Sequence, residues 1–270
     1  MVVQHNLQAQ NTNRMLGQNV KAVAKSTEKL SSGYQVNRAA DDAAGLSISE
    51  KMRNQIRGIN QAVKNSEDGV SLIQTAEGNM NEIHSILQRM GELATKAAND
   101  VNATDDRTAI DDEMKQLTEE IDSIAKKAAF NGTYLLRGSF TNKQLQVGAV
   151  AGENMSITIS SMKASKIGVA GLKVSSHKAA SSAMTAITKA IKDVSTARSK
   201  LGAIQNRLNY TINNLENYSE NLTAAESQIR DTDMATEMTN YTKNNILQQA
   251  AQSMLAQSNQ STQGVLSLLQ

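Results

Sequence analysis

The chain has 270 residues and a formal net charge of +2, with no cysteine, no tryptophan and no proline. Disulfides, thiolate metal sites and a cysteine nucleophile are therefore excluded. The near-neutral charge, without a dense Lys/Arg run, argues against nucleic acid or an anionic membrane as the main partner.

Average usage would place roughly a dozen prolines in a chain of this size. Proline breaks helix interiors, so its absence favours long uninterrupted helices. Aromatics are only 3%. The apolar content of Ala, Leu, Ile, Val and Met suits narrow helix–helix seams better than a wide globular interior. No apolar run approaches the roughly 18 residues needed to span a bilayer. The opening MVVQHNLQAQNTNRML has neither a basic flank nor an apolar stretch of signal-peptide length, so general secretory export is not expected.

In chain order, Val3, Leu7, Leu16, Val20, Val23 and Leu30 recur at helical spacing, and SSGYQVN (31–37) stops that helix, with Gly33 available for a left-handed terminus. A second helix resumes near Asp41 and carries Ile56, Ile59, Val63, Val70, Ile73, Met80, Ile83, Leu87 and Met90 on one face until NDVNAT (99–104). A third follows with Thr104 as expected N-cap, Asp105 and Asp106 in the first turn, and a seam of Ile110, Met114, Leu117, Ile121, Ile124 and Ala128. Lys126 and Lys127 suit its last turn, and FNG (130–132) ends it. From Thr133 to about Ser176 the period changes to two. QLQVGAV (144–150) and NMSITISSM (154–162), separated by the turn residues GENM (152–155), predict a small β-hairpin region.

The last third decides the architecture. Ile187, Val194, Leu201, Leu208, Leu215, Leu222 and Ile229 stand at intervals of seven. A heptad sustained this long implies a supercoiled helix, roughly 65 Å over this stretch. RDTD (230–233) marks a junction, and a final helix carries Met234, Met238, Tyr241, Leu247, Met254 and Leu255 before GVLSLLQ. The expected fold is mainly α: an elongated antiparallel helical bundle or coiled coil with a small β-hairpin insert, its N- and C-terminal helices paired. An extended bundle without terminal pairing is the alternative.

Asp41 and Asp42 in NRAADDAAGLSIS (37–49) are the most conspicuous acidic pair. Neighbouring helical residues project about 100° apart, so the two cannot share a proton over one substrate. No further oxygen ligands stand at metal-loop spacing. A cap and solvated charge at a helix start is the expected role. His5, His84 and His177 lie in different segments with no HExxH, no G-x-S-x-G elbow occurs and the glycines form no phosphate loop. No catalytic residue, metal site or cofactor is expected, and the protein is not read as an enzyme.

LSSGYQVNRAADDAAGLSIS (30–49), NSEDGVSLIQTAEGNMNEIHSILQRMGELATKAAN (65–99), FNG and NILQQAAQSMLAQSNQSTQGVLSLL closely resemble bacterial flagellin. The chain looks like a minimal form without large outer variable domains. The resemblance implies terminal helices that are disordered in the free monomer and pair as a coiled coil in the filament. It divides the chain into residues 1–40 and 232–270 as halves of an inner coiled-coil domain. Residues 41–132 and 181–231 then form the helices of a core domain, with 133–180 as its β-hairpin insert.

It further implies that Asp41, Asp42 and Gly45 form the junction between these domains. Leu7, Leu16, Val20, Leu30, Leu247, Leu255, Val265, Leu266, Leu268 and Leu269 would pack the terminal helices and drive polymerisation. The implied partners are other copies of the chain, an export chaperone at the C-terminal helix, and filament-cap and hook-junction proteins. Export would run through the flagellar type III apparatus to an extracellular flagellum, without a cleaved signal. Arg89, Leu93 and Glu113 match family positions that contact Toll-like receptor 5, with Gly91 where many strongly recognised flagellins have Arg. A hook–filament junction protein is the alternative function.

Overall fold

A computed structural model describes residues 6–268, with 262–268 described by their backbone alone. Its elements are α1 (Leu7–Ser32), α2 (Ala43–Ala97), α3 (Thr104–Lys127), β1 (Ala129–Phe130), β2 (Thr133–Tyr134), β3 (Lys143–Gln146), β4 (Asn154–Ile157), α4 (Ala164–Ile167), α5 (His177–Arg230) and α6 (Met234–Leu268). They form two compact units, Met1–Asn54 with Glu220–Gln270, and Gln55–Ser219.

In the first unit α1 and α6 run antiparallel and pack along each other. Asn6 begins the pairing. Its Oδ1 accepts from the Ala9 N–H at 2.9 Å, capping α1, and its amide donates to the Ser258 carbonyl at 3.3 Å. At the other end Gly33 adopts φ 75°, and its N–H donates to the Lys29 carbonyl at 2.9 Å. That left-handed residue is the stop expected from the sequence, because residues with a Cβ rarely adopt this backbone conformation. The chain leaving α1 then pairs with the chain leaving α5. Thr232 N donates to Gly33 O at 2.9 Å and Gln35 N to Arg230 O at 2.7 Å, around a bridge between Tyr34 and Asp231.

The second unit holds the apolar core. Ile73, Met80, Ile83, Leu87 and Met90 of α2 meet Met114 and Ile121 of α3 and Ile187, Val194, Leu201 and Leu208 of α5. The heptad positions of α5 inside this unit are thus the buried ones, down to Leu208. At about 25 cal/mol per Å², each large side chain closed off here contributes roughly 1.5–3 kcal/mol.

α3 departs from expectation at its start. Thr104 is already helical and Ala103 is the N-cap residue. The capping contact instead runs backwards, with the Asp106 carboxylate accepting from the Ala103 N–H at 3.2 Å. A carboxylate in the first turn supplies acceptor and favourable charge together, leaving Thr104 without a capping task.

The β region contains two hairpins rather than one. β1 and β2 pair antiparallel with Phe130 opposite Thr133, through a two-residue turn in which Asn131 and Gly132 both have positive φ. The FNG that ends α3 also makes this turn, as the right-handed strand twist requires. β3 and β4 pair Lys143 with Ile157 and Gln146 with Asn154. They are shorter than the alternating stretches, because from Thr158 the chain turns to other partners. Ile159 N donates to Phe140 O at 2.8 Å and Met162 N to Leu136 O at 3.0 Å.

Candidate assembly site

Asp42 sits one residue before α2, and its Oδ1 accepts from the N–H groups of Ala44 at 3.1 Å and Gly45 at 2.9 Å. It is the N-cap, satisfying donors that the helix cannot pair itself. Asp41 faces elsewhere. Its carboxylate lies 2.9 Å from Lys25 Nζ of α1 and accepts from the Arg38 N–H at 3.1 Å. The Lys25 ammonium, and then the Arg38 amide, hold the Asp41 carboxyl below its usual range. Adjacent in sequence, the two aspartates divide their work. One starts α2 and the other ties the loop back to α1.

Gly45 is buried, and a Cβ there would meet the Asp42 carboxylate and approach the Ile229 side chain of α5 to 3.5 Å. The glycine is needed for space rather than for backbone freedom.

Periodicity did not single out Arg230, which organises the same region. Its guanidinium lies 4.7 Å from the Tyr34 ring centroid, donates to Glu50 Oε1 at 2.9 Å and reaches Ser49 Oγ at 3.3 Å. The Arg230 contact holds Glu50 below its usual carboxyl range. Asp233 caps α6 through the N–H groups of Ala235 and Thr236 and the Thr236 hydroxyl, which lower its pKa. The only sequence signal for either residue was RDTD, a polar break between two apolar patterns.

The α1–α6 pair buries little. Leu16, Leu30 and Leu255 are half-buried, whereas Leu7 is 69% exposed, Val20 43% and Leu247 42%. Met15, Ile246 and Met254 are exposed with them. The buried side chains of these helices are Ser26 and Ser258, among the described residues. Two helices alone cover one stripe of each, so apolar positions outside that stripe face outward. Val265, Leu266 and Leu268 belong to helical backbone whose side chains are not described, and Leu269 lies outside the described residues.

On the second unit Arg89 is exposed and grips Glu113 of α3, with Nη2 at 3.0 Å and Nε at 3.2 Å from Oε1. Its Nη1 donates to Glu92 at 3.1 Å. Leu93 does not belong with them as a surface contact. It is 3% exposed and part of the core. Its position follows the apolar stripe of α2, three residues on from Met90. Gly91 is half-buried, and a Cβ there would lie 3.8 Å from Ile187, an ordinary packing distance.

Among the described residues no three of His, Asp and Glu gather as a metal site, and no helix is long and apolar enough to cross a membrane.

Two family descriptions match the chain: the bacterial flagellin N-terminal helical region over residues 3–141 and the C-terminal helical region over 184–269. The chain belongs to the bacterial flagellin family. The flagellin of Halalkalibacterium halodurans is 53% identical over 271 residues, and that of Bacillus subtilis 48% over 305, with both chains covered in full in each comparison. The crystal structure of Bacillus cereus flagellin aligns with a TM-score of 0.50 at 29% identity, covering 56% of this chain and 88% of that one. A flagellin is a structural protein and not an enzyme. The chain is also short, a minimal form of the family.

Proposed function

We propose that this flagellin polymerises into the extracellular filament that drives bacterial swimming, using the α1–α6 pair as its assembly element. The observation that carries this reading is the outward apolar face of that pair, from Leu7 and Val20 to Leu247. Such side chains on a soluble subunit gain free energy when neighbouring subunits cover them. Repetition of one heterologous contact that does not close generates an open helical lattice.

Asp41, Asp42 and Gly45 are then structural. They fix the turn between the assembly helix α1 and the start of the long helix α2. By family resemblance the same chain would be exported through the flagellar type III route, with a chaperone over the C-terminal helix. Filament-cap and hook-junction proteins would be its neighbours at the filament ends. Arg89 and Glu113, exposed and held in one ion pair, are the residues proposed to meet Toll-like receptor 5. Leu93 would act there only by holding α2 in place.

The test is seeded growth. Purified monomer is added to short filament seeds, sedimentable mass is followed and the pellet is imaged. Long filaments of uniform diameter are expected. Capping of the seeds without elongation would overturn the subunit reading in favour of a hook–filament junction protein. A chain truncated before Leu255 is expected not to elongate seeds, and normal filaments from it would remove the assembly role of the C-terminal helix.

A further inference from the structure

We propose that the Asn131–Gly132 turn is a site of spontaneous covalent modification, where Asn131 loses its side-chain amide and becomes a mixture of isoaspartate and aspartate.

Three observations meet at this turn. Asn131 is the sole asparagine followed by glycine in the chain. Both residues are exposed at the tip of the β1–β2 hairpin, with φ of 45° and 75°. Among the described residues neither the Asn131 side chain nor the Gly132 N–H makes a hydrogen bond, so neither reacting group is tied to another partner. The space beside the nucleophile is also open, since a Cβ built on Gly132 would meet nothing within 4 Å. Any other residue at position 132 would place a carbon next to the attacking nitrogen.

The Gly132 nitrogen gives up its proton to solvent base and attacks Asn131 Cγ. The bond from Cγ to the amide nitrogen breaks, and that nitrogen takes up a proton and leaves as ammonia, closing a cyclic imide. Water then adds to either imide carbonyl and the ring C–N bond at that carbonyl breaks. Attack on one side gives aspartate, and attack on the other gives isoaspartate, whose main chain runs through the former side-chain carbon. One water is consumed and one ammonia released, with no redox change.

The consequence lies in the hairpin. Isoaspartate adds a methylene to a two-residue loop whose length sets the register of Phe130 opposite Thr133. Just beyond that register, Leu135 N donates to Ala128 O at 3.0 Å, and Leu135 and Leu136 are buried in the core. Arg137 covers the Tyr134 ring and donates to the Lys126 carbonyl at the end of α3. The modified turn therefore loosens the seat of α3 on the hairpin.

Asn142 is an internal control. It too has positive φ, at 49°, and is exposed, but Lys143 follows it, and its Oδ1 accepts from Gln144 Nε2 at 3.5 Å. The full chain would be held at mildly alkaline pH in ¹⁸O-labelled water, sampled over time and peptide-mapped by mass spectrometry with isoaspartate resolved chromatographically. The expected result is loss of the Asn131 amide with heavy oxygen incorporated and isoaspartate formed, while Asn142 keeps its amide. Hydrogen exchange at the Leu135 amide should rise in the converted fraction. Loss at Asn131 no faster than at Asn142, or aspartate without any isoaspartate, would overturn the proposal. Gly132→Ala is expected to slow the loss, and an unchanged rate would equally overturn it. None of these readings depends on whether the chain polymerises.

Discussion

Lys25 Nζ of α1 lies 2.9 Å from Asp41 Oδ1 in the turn before α2, so the helix that pairs with α6 is tied directly to the entry of the long helix. The contact is solvent-accessible, with much of the Lys25 side chain exposed, and its strength is modest and salt-sensitive. Its pH window follows from the direction of the two shifts. The Asp41 pKa is lowered from 3.8, so its contribution is complete above that value and lost as pH falls through the folded pKa. The Lys25 pKa is raised from 10.5, so its contribution is complete below that value and lost as pH rises through the folded pKa. Asp41→Asn should therefore lower the melting temperature slightly near neutrality, and the gap from the parent chain should close in strong acid. A gap unchanged down to the lowest pH would show that Asp41 acts through hydrogen-bond geometry rather than charge.

Glycine to alanine should have opposite signs at two helical positions. Gly78 in α2 is exposed and a Cβ there meets nothing within 4 Å. Gly78→Ala should stabilise by up to about 1 kcal/mol. At Gly45 the added carbon meets the Asp42 carboxylate, which must swing away from the N–H groups it caps, at a cost of about 1 kcal/mol that cancels the helix gain or exceeds it. Asp42→Ala made in the Gly45→Ala background should then cost less than it does alone, because the cap is already weakened. Thermal unfolding of the parent and these four variants measures this. Equal stabilisation by both alanines would show that the Asp42 cap survives.

The helices were legible because each carries its own period. The steps of three and four in α2 pick out Ile59, Ile73, Met80, Ile83, Leu87 and Met90, which are buried, and Ile56, Val63 and Val70, which are half-buried, and Gly33 marks the end of α1. The β1–β2 hairpin was not legible, because two-residue strands are too short to show alternation and FNG reads equally well as a helix stop. The work of Arg230 was also hidden. It joins Tyr34, Ser49 and Glu50 from distant segments, and pairing at that separation leaves no periodic trace. Leu93 carries two signals at once. Family position marked it for a partner, while its own three-residue step from Met90 marked it for the core.

Asp111 and Asp122 of α3 likewise reach partners distant in sequence. Asp122 Oδ1 accepts from the Ala164 N–H at 2.8 Å, at the start of α4, and Asp111 Oδ1 from the Val174 N–H at 3.2 Å. Ala164 is buried, so removing its acceptor leaves a donor without water. Asp122→Ala should destabilise the chain by about 1–3 kcal/mol. Asp122→Asn, which keeps an acceptor oxygen, should recover most of that, and Glu120→Ala at an exposed position should change stability by less than about 0.5 kcal/mol. A loss for Asp122→Asn as large as for alanine would assign the effect to charge instead.

The sharpest separation between folding and assembly comes from two leucines. Leu87 of α2 is fully buried, and truncating such a side chain removes its transfer energy and leaves a cavity. Leu87→Ala should lower monomer stability by about 2–5 kcal/mol. Leu247 of α6 is 42% exposed on the face proposed to meet neighbouring subunits. Leu247→Ala should leave monomer unfolding within about 0.5 kcal/mol of the parent. In seeded growth it should nevertheless raise the concentration of monomer left unpolymerised, because each added subunit would bury less apolar surface. Leu87→Ala, assayed well below its lowered melting temperature, should elongate seeds close to normally. If Leu247→Ala instead destabilised the monomer and left elongation unchanged, the outward face of α6 would belong to the fold of the single chain, and assembly would have to be sought on another surface.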